Sequence, residues 1–421
     1  MAEPGDAVSG RRGFTIVELL VAIVVAGVAV VGIYYYYSSV QYAMREQAKI
    51  SQAQLSARLG MELLSADLQR AGFLSTPNGA ADPLVCAQSP VRDVVALVHY
   101  NGTAGKVYAR NATGAPGLDL PNGSQNTNIR PDSIQVFGNY VNSNEYLVET
   151  ISGTTIRLQQ LLDDPDPTEA DAGVGGASAA SVLTDAEFGW LFPTNSLLRI
   201  VNRHGFAQFV RVAGVSGFAD RTITVAGATA PTVFSPSTPC GVEGFCEGCT
   251  VNVVNGLWYR LERRTDDATT ANVDEGLQTD LVRYLLDTSV DPPAPIAASR
   301  EVVVEYAVDF QVWFRAATAG GVPGTFALDV ADDVADDSTV MLGVGAPLPG
   351  ARPEAMRSAV VRVTVRTRAE DPKFPFDGRA RPNTTQRIKA FEVEPTSTGA
   401  AHVRSYTTEV ALPNLAFRGL L

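Results

Sequence analysis

Residues 13–37 of the chain read GFTIVELLVAIVVAGVAVVGIYYYY, and this stretch decides the fold. The run is almost wholly apolar, with Glu18 as its early charged exception. As an α-helix, the run from Phe14 to its end spans about 36 Å at about 1.5 Å per residue, which is enough to cross a bilayer. Arg11 and Arg12 precede it, and no comparable basic pair follows it directly. Arginines on one side predict a cytoplasmic N-terminus with the remaining chain outside.

Two simpler interpretations of this run are a secretory signal peptide and a plain membrane anchor. A signal peptide has an apolar core of about 7–15 residues and a small-residue cleavage site. Here the run is longer and leads into four tyrosines, 34–37, so removal of the whole segment is not expected. A plain anchor explains the length and the arginines, but it leaves Glu18 unexplained, because ionisable groups inside membrane helices are costly. We therefore expect another group to interact favourably with the Glu18 carboxylate.

The segment Gly13-Phe14-Thr15-Ile16-Val17-Glu18-Leu19-Leu20 closely resembles the processing motif of type IV prepilins. The resemblance implies that a prepilin peptidase cuts between Gly13 and Phe14 on the cytoplasmic side and methylates the new amine of Phe14. The apolar helix is then retained. Cleavage creates a cation close to Glu18, and opposite charges about 4 Å apart attract. The amine, of the same chain or of a neighbouring subunit, is therefore the expected partner of the Glu18 carboxylate.

The helix is expected to continue beyond the membrane, because residues 41–72 contain no proline and carry apolar residues at helical spacing. Gly72 and the sequence Pro77-Asn78-Gly79 provide the stop signal. We expect one apolar stripe of this half to pack on a globular head. The stripe consists of Leu55, Leu59, Leu63 and Ala66, flanked by Leu64 and Leu68.

Beyond Gly72 the periodicity changes to that of β-strands. Tight turns are predicted at Gly153 and at His204-Gly205, where glycine permits a positive φ. Residues 360–366 are predicted as a half-exposed strand with its arginines facing solvent. The predicted strands lie in residues 93–100, 133–140, 146–158, 197–215, 222–225, 251–261, 302–314 and 360–366.

The predicted fold class is therefore α+β, with a long N-terminal pilin helix packed on a large, mostly antiparallel β head. The expected divisions are a leader at 1–13, a membrane-spanning half-helix at 14–37 and an amphipathic half-helix at 38–73. The extracytoplasmic head covers 74–421, with a division into lobes at about 74–250 and 251–421 as a further expectation.

Three later segments are similar to the PilW-like minor pilins. They are residues 67–73 at the helix end, residues 256–260 together with 302–309 as a strand pair, and a closing strand at 406–417. Residues from about 76 to 250 resemble no family that we recognise.

The resemblance implies a subunit that primes or caps type IV pilus assembly within a tip or initiation complex. Its implied partners are other minor pilins, the major pilin, the prepilin peptidase, the inner-membrane assembly machinery and a tip adhesin. Its implied location is the inner membrane with the head in the periplasm, and then the pilus tip at the cell surface. A minor pseudopilin of a type II secretion system and a pilus-displayed adhesin or ligand-binding module are the alternatives.

Composition argues against several other functions. The net charge of -12 disfavours nucleic-acid binding, which needs concentrated Lys and Arg. The three histidines, His99, His204 and His402, are far apart, and no catalytic motif accompanies them, so we expect no enzyme, cofactor or metal. Acidic stretches at 163–166, 266–267 and 329–337 lack the spacing of an EF-hand loop and are interpreted as solvated loops, with calcium binding as the alternative.

The chain has four cysteines, Cys86, Cys240, Cys246 and Cys249. In an oxidising compartment two disulfides are the leading interpretation. The spacing of Cys246 and Cys249 also suits a zinc or redox pair. Among the three connectivities we favour a bond between Cys86 and one of the later cysteines, because it would staple the middle region to the end of the long helix.

Overall fold

A computed structural model describes the chain from Thr15 onward, with gaps. The described residues are 15–87, 89–100, 106–109, 118–119, 131–141, 143–159, 185–194, 196–216, 220–227, 240, 248–263, 278–288, 293–316, 353–368, 370–375, 390–391, 393 and 399–416. The chain forms two compact units, Met1–Gln52 and Ala53–Leu421.

Helix α1, Ile16–Gln69, is continuous over 54 residues and begins in the first unit and ends in the second. At about 1.5 Å per residue it is about 81 Å long. The segment Ile16–Met44 is apolar and long enough to cross a membrane, and none of its most apolar part is buried within the protein. The helix runs unbroken through Gly27 and Gly32, where an added Cβ would meet nothing within 4 Å.

The head is built from eighteen described strands and two short helices, α2 (Asp185–Leu191) and α3 (Pro413–Ala416). The strands are β1 (Leu97–Tyr100), β2 (Lys106–Ala109), β3 (Leu118–Asp119), β4 (Ser133–Gly138), β5 (Tyr146–Ser152), β6 (Thr155–Leu158), β7 (Leu197–Val201), β8 (Ala207–Val215), β9 (Thr222–Val225), β10 (Thr250–Arg263), β11 (Thr279–Asp287), β12 (Ala294–Pro295), β13 (Glu301–Val304), β14 (Ala307–Ala316), β15 (Met356–Arg366), β16 (Asp371–Pro375), β17 (Ala390–Phe391) and β18 (Gly399–Ala411).

These strands form two sheets, one of thirteen strands and one of five. Among the described pairings, only β2 with β10 is a parallel ladder between named strands. The long strand β10 organises the larger sheet, because one part of it pairs with β5 and β7 and another with β4 and β11. The smaller sheet has the order β14-β15-β18-β16, with β17 also paired to β18. The predicted α+β class with a mostly antiparallel head is confirmed.

Within the larger sheet, six strands close into a small barrel. The neighbours run β5-β6-β9-β8-β7-β10 and return from β10 to β5, every pairing being antiparallel. The interior is filled with aliphatic side chains, and Phe188 on α2 and Phe192 just after it join this core. Apart from β10, the barrel lies in the middle region, whose strands were predicted but which resembles no family that we recognise. Its two tight turns are as predicted, with φ of +57° at Gly153 and +84° at Gly205.

The face of α1 that packs on the head includes the predicted flanking residues Leu64 and Leu68 but not the centre of the predicted stripe. Leu55 and Leu59 are 60% and 57% exposed, and Ala66 is exposed as well. The buried face, rotated from the predicted one, consists of Ala57, Gly60, Met61, Leu64, Leu68 and, just after the helix, Ala71. Small residues on this face let the helix approach the sheet closely. At Gly60 an added Cβ would lie 2.2 Å from Cγ2 of Val304 and 2.8 Å from the carbonyl oxygen of Val303.

The C-terminal end of α1 is held by the backbone of the head. The amide of Gly72, whose φ is +77°, donates to the carbonyl of Phe137 at 2.8 Å. The side-chain amide of Asn414 donates to the carbonyl of Gln69 at 2.7 Å. The Asn414 bond satisfies one of the carbonyls that the C-terminal end of a helix leaves open, and the Gly72 bond attaches the following turn to the sheet.

Strand β15 is buried on both faces, so the prediction of solvent-facing arginines at 360–366 is wrong. Arg366 is fully buried, and its guanidinium lies 5.2 Å from the centre of the Tyr306 ring. Arg362 lies 3.6 Å from the Asp309 carboxylate and over the Trp313 ring. Buried arginines persist when carboxylates, carbonyls or aromatic faces receive them.

Two segments have a different arrangement in the structure from the one predicted by family resemblance. Residues 256–260 in β10 pair with β11, which separates them from β13, so 256–260 and 302–309 are not neighbouring strands. Strand β11 was not predicted, because the alternation of apolar and polar residues in 279–287 is weak. The predicted closing strand ends at Ala411 instead of continuing to 417, because Pro413 begins helix α3.

Candidate functional site

The first turn of α1 contains a reciprocal cap. The backbone amide and the hydroxyl of Thr15 donate to Oε2 of Glu18 at 2.9 and 3.0 Å. In return the Glu18 amide donates to Oγ1 of Thr15 at 3.2 Å. This is a capping box, in which the residue before the helix and the third helical residue satisfy each other's backbone amides. Gly13 and Phe14, the predicted processing residues, lie outside the described residues.

The capping box explains how a carboxylate is accommodated at the head of an apolar helix. Glu18 lies in the first turn, where a negative charge also complements the positive end of the helix dipole. The position of Glu18 in the sequence suggested a charged partner, whereas in the structure Thr15 donates to its carboxylate. The spacing Thr-x-x-Glu before an apolar run was the signal that would have identified it.

After Glu18, residues 19–37 of α1 present an uninterrupted run of exposed apolar and tyrosine side chains. Tyr34 to Tyr37 are four consecutive residues at the far end of this surface, 61–74% exposed. Because successive helix residues are about 100° apart, four in a row surround the helix on all sides. Tyrosine is enriched where a membrane helix meets the water interface. Glu18 is 16 residues before Tyr34, or about 24 Å along the axis, so the two lie near opposite ends of a membrane-length segment.

The comparison with protein families identifies this same segment. Residues 8–34 match the family model described as the prokaryotic N-terminal methylation motif. The chain therefore has a type IV pilin-like N-terminus. The matched segment and the apolar helix fit membrane anchoring and are shared by pilins and pseudopilins. No curated protein and no solved structure matches the chain.

A buried polar cluster joins the end of α1 to the head. The carboxylate of Asp67 accepts a hydrogen bond from the Tyr259 hydroxyl and lies 3.1 Å from Nε of Arg283. The Tyr140 hydroxyl donates to the Asp67 carbonyl at 3.2 Å. Burial raises the pKa of Asp67, and the Tyr259 bond and the Arg283 charge oppose that rise. These hydrogen bonds and the ion pair link the end of α1 to the head, and they form in only one arrangement of the side chains involved.

The cysteines support the disulfide interpretation. Cys86 and Cys240 form a disulfide, which is one of the links favoured from the sequence. Cys249 is disulfide-bonded too, and Cys246 lies outside the described residues. The Cys86–Cys240 bond ties the segment after α1 to the connection that precedes β10. No free cysteine occurs in the part of the chain that the structure describes.

The histidines lie in strands and turns. His99 of β1 is buried with Nε2 3.1 Å from the Asp132 carboxylate, and His402 of β18 lies 3.2 Å from the Asp371 carboxylate. His204 lies in the exposed turn before Gly205. Among the described residues no group of three potential ligands could hold a metal ion. The acidic stretches 163–166, 266–267 and 329–337 lie outside the described residues.

Proposed function

We propose that this protein is a minor pilin, most like the PilW-like family, that primes or caps type IV pilus assembly as part of a tip or initiation complex. The observation that carries the proposal is the methylation motif at residues 8–34, placed at the head of a continuous 54-residue helix. One end of that helix is apolar and uncovered, and the other packs on the head. An assembly subunit needs both an uncovered apolar helix segment and a folded head.

The capping box gives the processing step a structural consequence. Cleavage after Gly13 places a cationic amine on Phe14, one residue from the Thr15 amide that already donates to Glu18. The carboxylate has hydrogen bonds from Thr15 before cleavage, and it gains a charged partner after cleavage. We expect Glu18 to accept the amine of its own chain or of the subunit below it in the assembly, which fixes the axial register of neighbouring helices.

The size of the head favours a low copy number. The head follows α1 with about 350 residues, including the six-stranded barrel, and such a mass is difficult to repeat at every position of a thin fibre. The expected partners are other minor pilins and the major pilin, with the prepilin peptidase acting first. The expected location is the inner membrane, with the head in the periplasm, and then the pilus tip.

The proposal can be tested with substitutions that separate capping from charge. Glu18→Gln retains the acceptor of a capping box but removes the negative charge, whereas Thr15→Val removes the hydroxyl but retains the charge. We expect Glu18→Gln to insert into the membrane and be processed, yet to capture partner pilins at least about tenfold less, equivalent to about 1.4 kcal/mol. Thr15→Val should retain most of the capture, and Gly13→Leu should block processing.

The measurements are the mass of the N-terminal peptide, capture of pilin subunits by the tagged full-length protein, and the number of surface pili. Methyl-Phe14 at the N-terminus and loss of capture in Glu18→Gln support the proposal. Normal piliation and normal capture in both Glu18→Gln and Gly13→Leu would contradict it. Capture of secretion subunits instead of pilins would assign the protein to a type II secretion pseudopilus.

A further inference from the structure

Strand β18 is paired on both sides over only part of its length. On one side it pairs with β15 from Val403 to Ala411. On the opposite side β17 pairs with Ala401 and His402, whereas β16 continues along the β15 side and pairs with Gly399 and Ala400. Among the described residues, the second ladder does not extend beyond His402. The remaining edge, 404–411, is about 27 Å long at about 3.4 Å per residue.

The register shows which backbone groups of this edge point away from β15. In an antiparallel pair, residues alternately point their N–H and C=O groups towards the partner strand and away from it. The amide of Thr367 donates to the carbonyl of His402, and the amide of Leu412 donates to the carbonyl of Arg357. The even-numbered residues of β18 therefore bond to β15. The outward-pointing backbone groups belong to Ser405, Thr407, Glu409 and Ala411.

A groove runs along the same edge. It has a volume of about 410 Å³ and lies between α1 and β18, and Tyr406, Thr407 and Thr408 all line it. Because successive strand residues face opposite sides of the sheet, three in a row can line a groove only if it follows the edge of the strand. The helix side of the groove carries Arg58 and Glu62, which form an exposed ion pair at 3.5 Å.

We infer that the outer edge of β18 is a docking site for an extended strand from another pilin-type subunit, which would add to the five-stranded sheet. The inference rests on the proposed assembly function. Outward N–H and C=O groups on alternate residues match the repeat of an extended backbone, whereas a helix has bonded its own backbone groups internally. An edge of this length that no described strand covers is a liability that proteins normally cover or disrupt.

The groove also defines the side chains of the incoming strand. On the face towards α1 they meet Met61, Ala66 and Tyr406, which favour small or apolar groups, and the Arg58–Glu62 pair accepts polar groups at the rim. The docked strand would contact α1 and the sheet together. It would therefore join one subunit's head to the helix–head junction of the next, independently of the Glu18 contact.

The test uses the full-length protein in cells that make its pilin partners. Thr407→Pro removes one outward amide and leaves the even-numbered ladder with β15 intact, because proline is tolerated at strand edges. Thr407→Val retains the amide and serves as the matched control. We expect capture of one pilin partner to fall at least about tenfold in Thr407→Pro and to change less than about twofold in Thr407→Val. Unchanged urea midpoints establish that both variants fold.

A second measurement does not depend on proline. A photo-cross-linking residue, benzoylphenylalanine, replaces Thr407 or Glu409, and the exposed residue Thr224 of β9 is the control position. The expected cross-links map to residues two apart in one extended segment of one pilin subunit. Cross-links from the test positions that are scattered or absent, or undiminished capture by folded Thr407→Pro, would overturn strand docking while leaving the proposed function intact. A wild-type protein that captures no pilin would instead contradict the proposed function.

Discussion

Replacing Gly60 by alanine sets two opposing effects against each other on α1. Alanine is the better helix former, so propensity alone predicts a gain of about 1 kcal/mol in the free energy of unfolding. In the structure the new Cβ would lie 2.2 Å from Cγ2 of Val304 and 2.8 Å from the carbonyl oxygen of Val303. Val304 is fully buried and its side chain is stiff, and a backbone oxygen in a paired strand cannot rotate away.

The clash should exceed the gain in propensity. Overpacking in a core costs about 1–3 kcal/mol, and contacts this short on two sides place Gly60→Ala near the upper limit. The net expectation is a loss of about 2 kcal/mol, because about 3 kcal/mol of overpacking is offset by about 1 kcal/mol of propensity. The control is Leu59→Ala, one residue away on the exposed side, which should change stability by less than about 0.5 kcal/mol.

The assay is urea unfolding of the full-length protein in detergent, followed by the fluorescence of buried Trp258. Gly60→Ala should lower the midpoint without changing the slope. The double variant with Val304→Ala should be more stable than the sum of the single changes predicts, because it removes the shorter of the two clashes. A Gly60→Ala variant as stable as the wild type would refute the close helix–sheet approach.

Two further predictions concern the head. Burial raises the pKa of Asp309 to about 6 against an ordinary value of 3.8, so this group's stabilising contribution is full below about pH 4 and is lost as the pH rises through 6. In urea titrations this group should lower the free energy of unfolding of the wild type by up to about 3 kcal/mol between pH 4 and 7, and Asp309→Asn should remove that decrease. An equally steep decrease with pH in the variant would contradict the assignment. Cys86→Ser should lower the free energy of unfolding by about 2–5 kcal/mol, because the bond closes a loop with a sequence separation of 154 residues. Thermal unfolding with and without reductant measures the loss, and reduced wild type should lose at least as much as oxidised Cys86→Ser, because Cys249 also lies in a disulfide.

The sequence was sufficient for features that depend on neighbouring residues. The apolar run with its charged exception predicts the N-terminal helix, and the family comparison finds the methylation motif in the same place. Glycines at 153 and 205 predict turns because few other residues adopt a positive φ. The processing and assembly roles of Gly13, Phe14 and Glu18 and the division of the head into lobes stay predictions.

Which face of α1 is buried was decided only by the tertiary structure. Hydrophobicity favoured Leu55 and Leu59, but the sheet accepts the helix along Ala57, Gly60 and Leu64, where small residues allow close approach. A periodic pattern reports which residues are apolar, whereas the face that packs depends on the shape of a partner formed by strands far away in the chain.

Tertiary structure also decided the environment of the charged residues and the order of the strands. Alternating Val and Arg at 360–366 is typical of a half-exposed strand, yet Arg362 and Arg366 are buried, because Asp309, backbone carbonyls and aromatic rings come together around them. The pairing of β10 with β4 and β5 joins residues more than 100 apart in the chain. Local sequence determines that these segments are strands, but their partners are determined by which faces can be buried together.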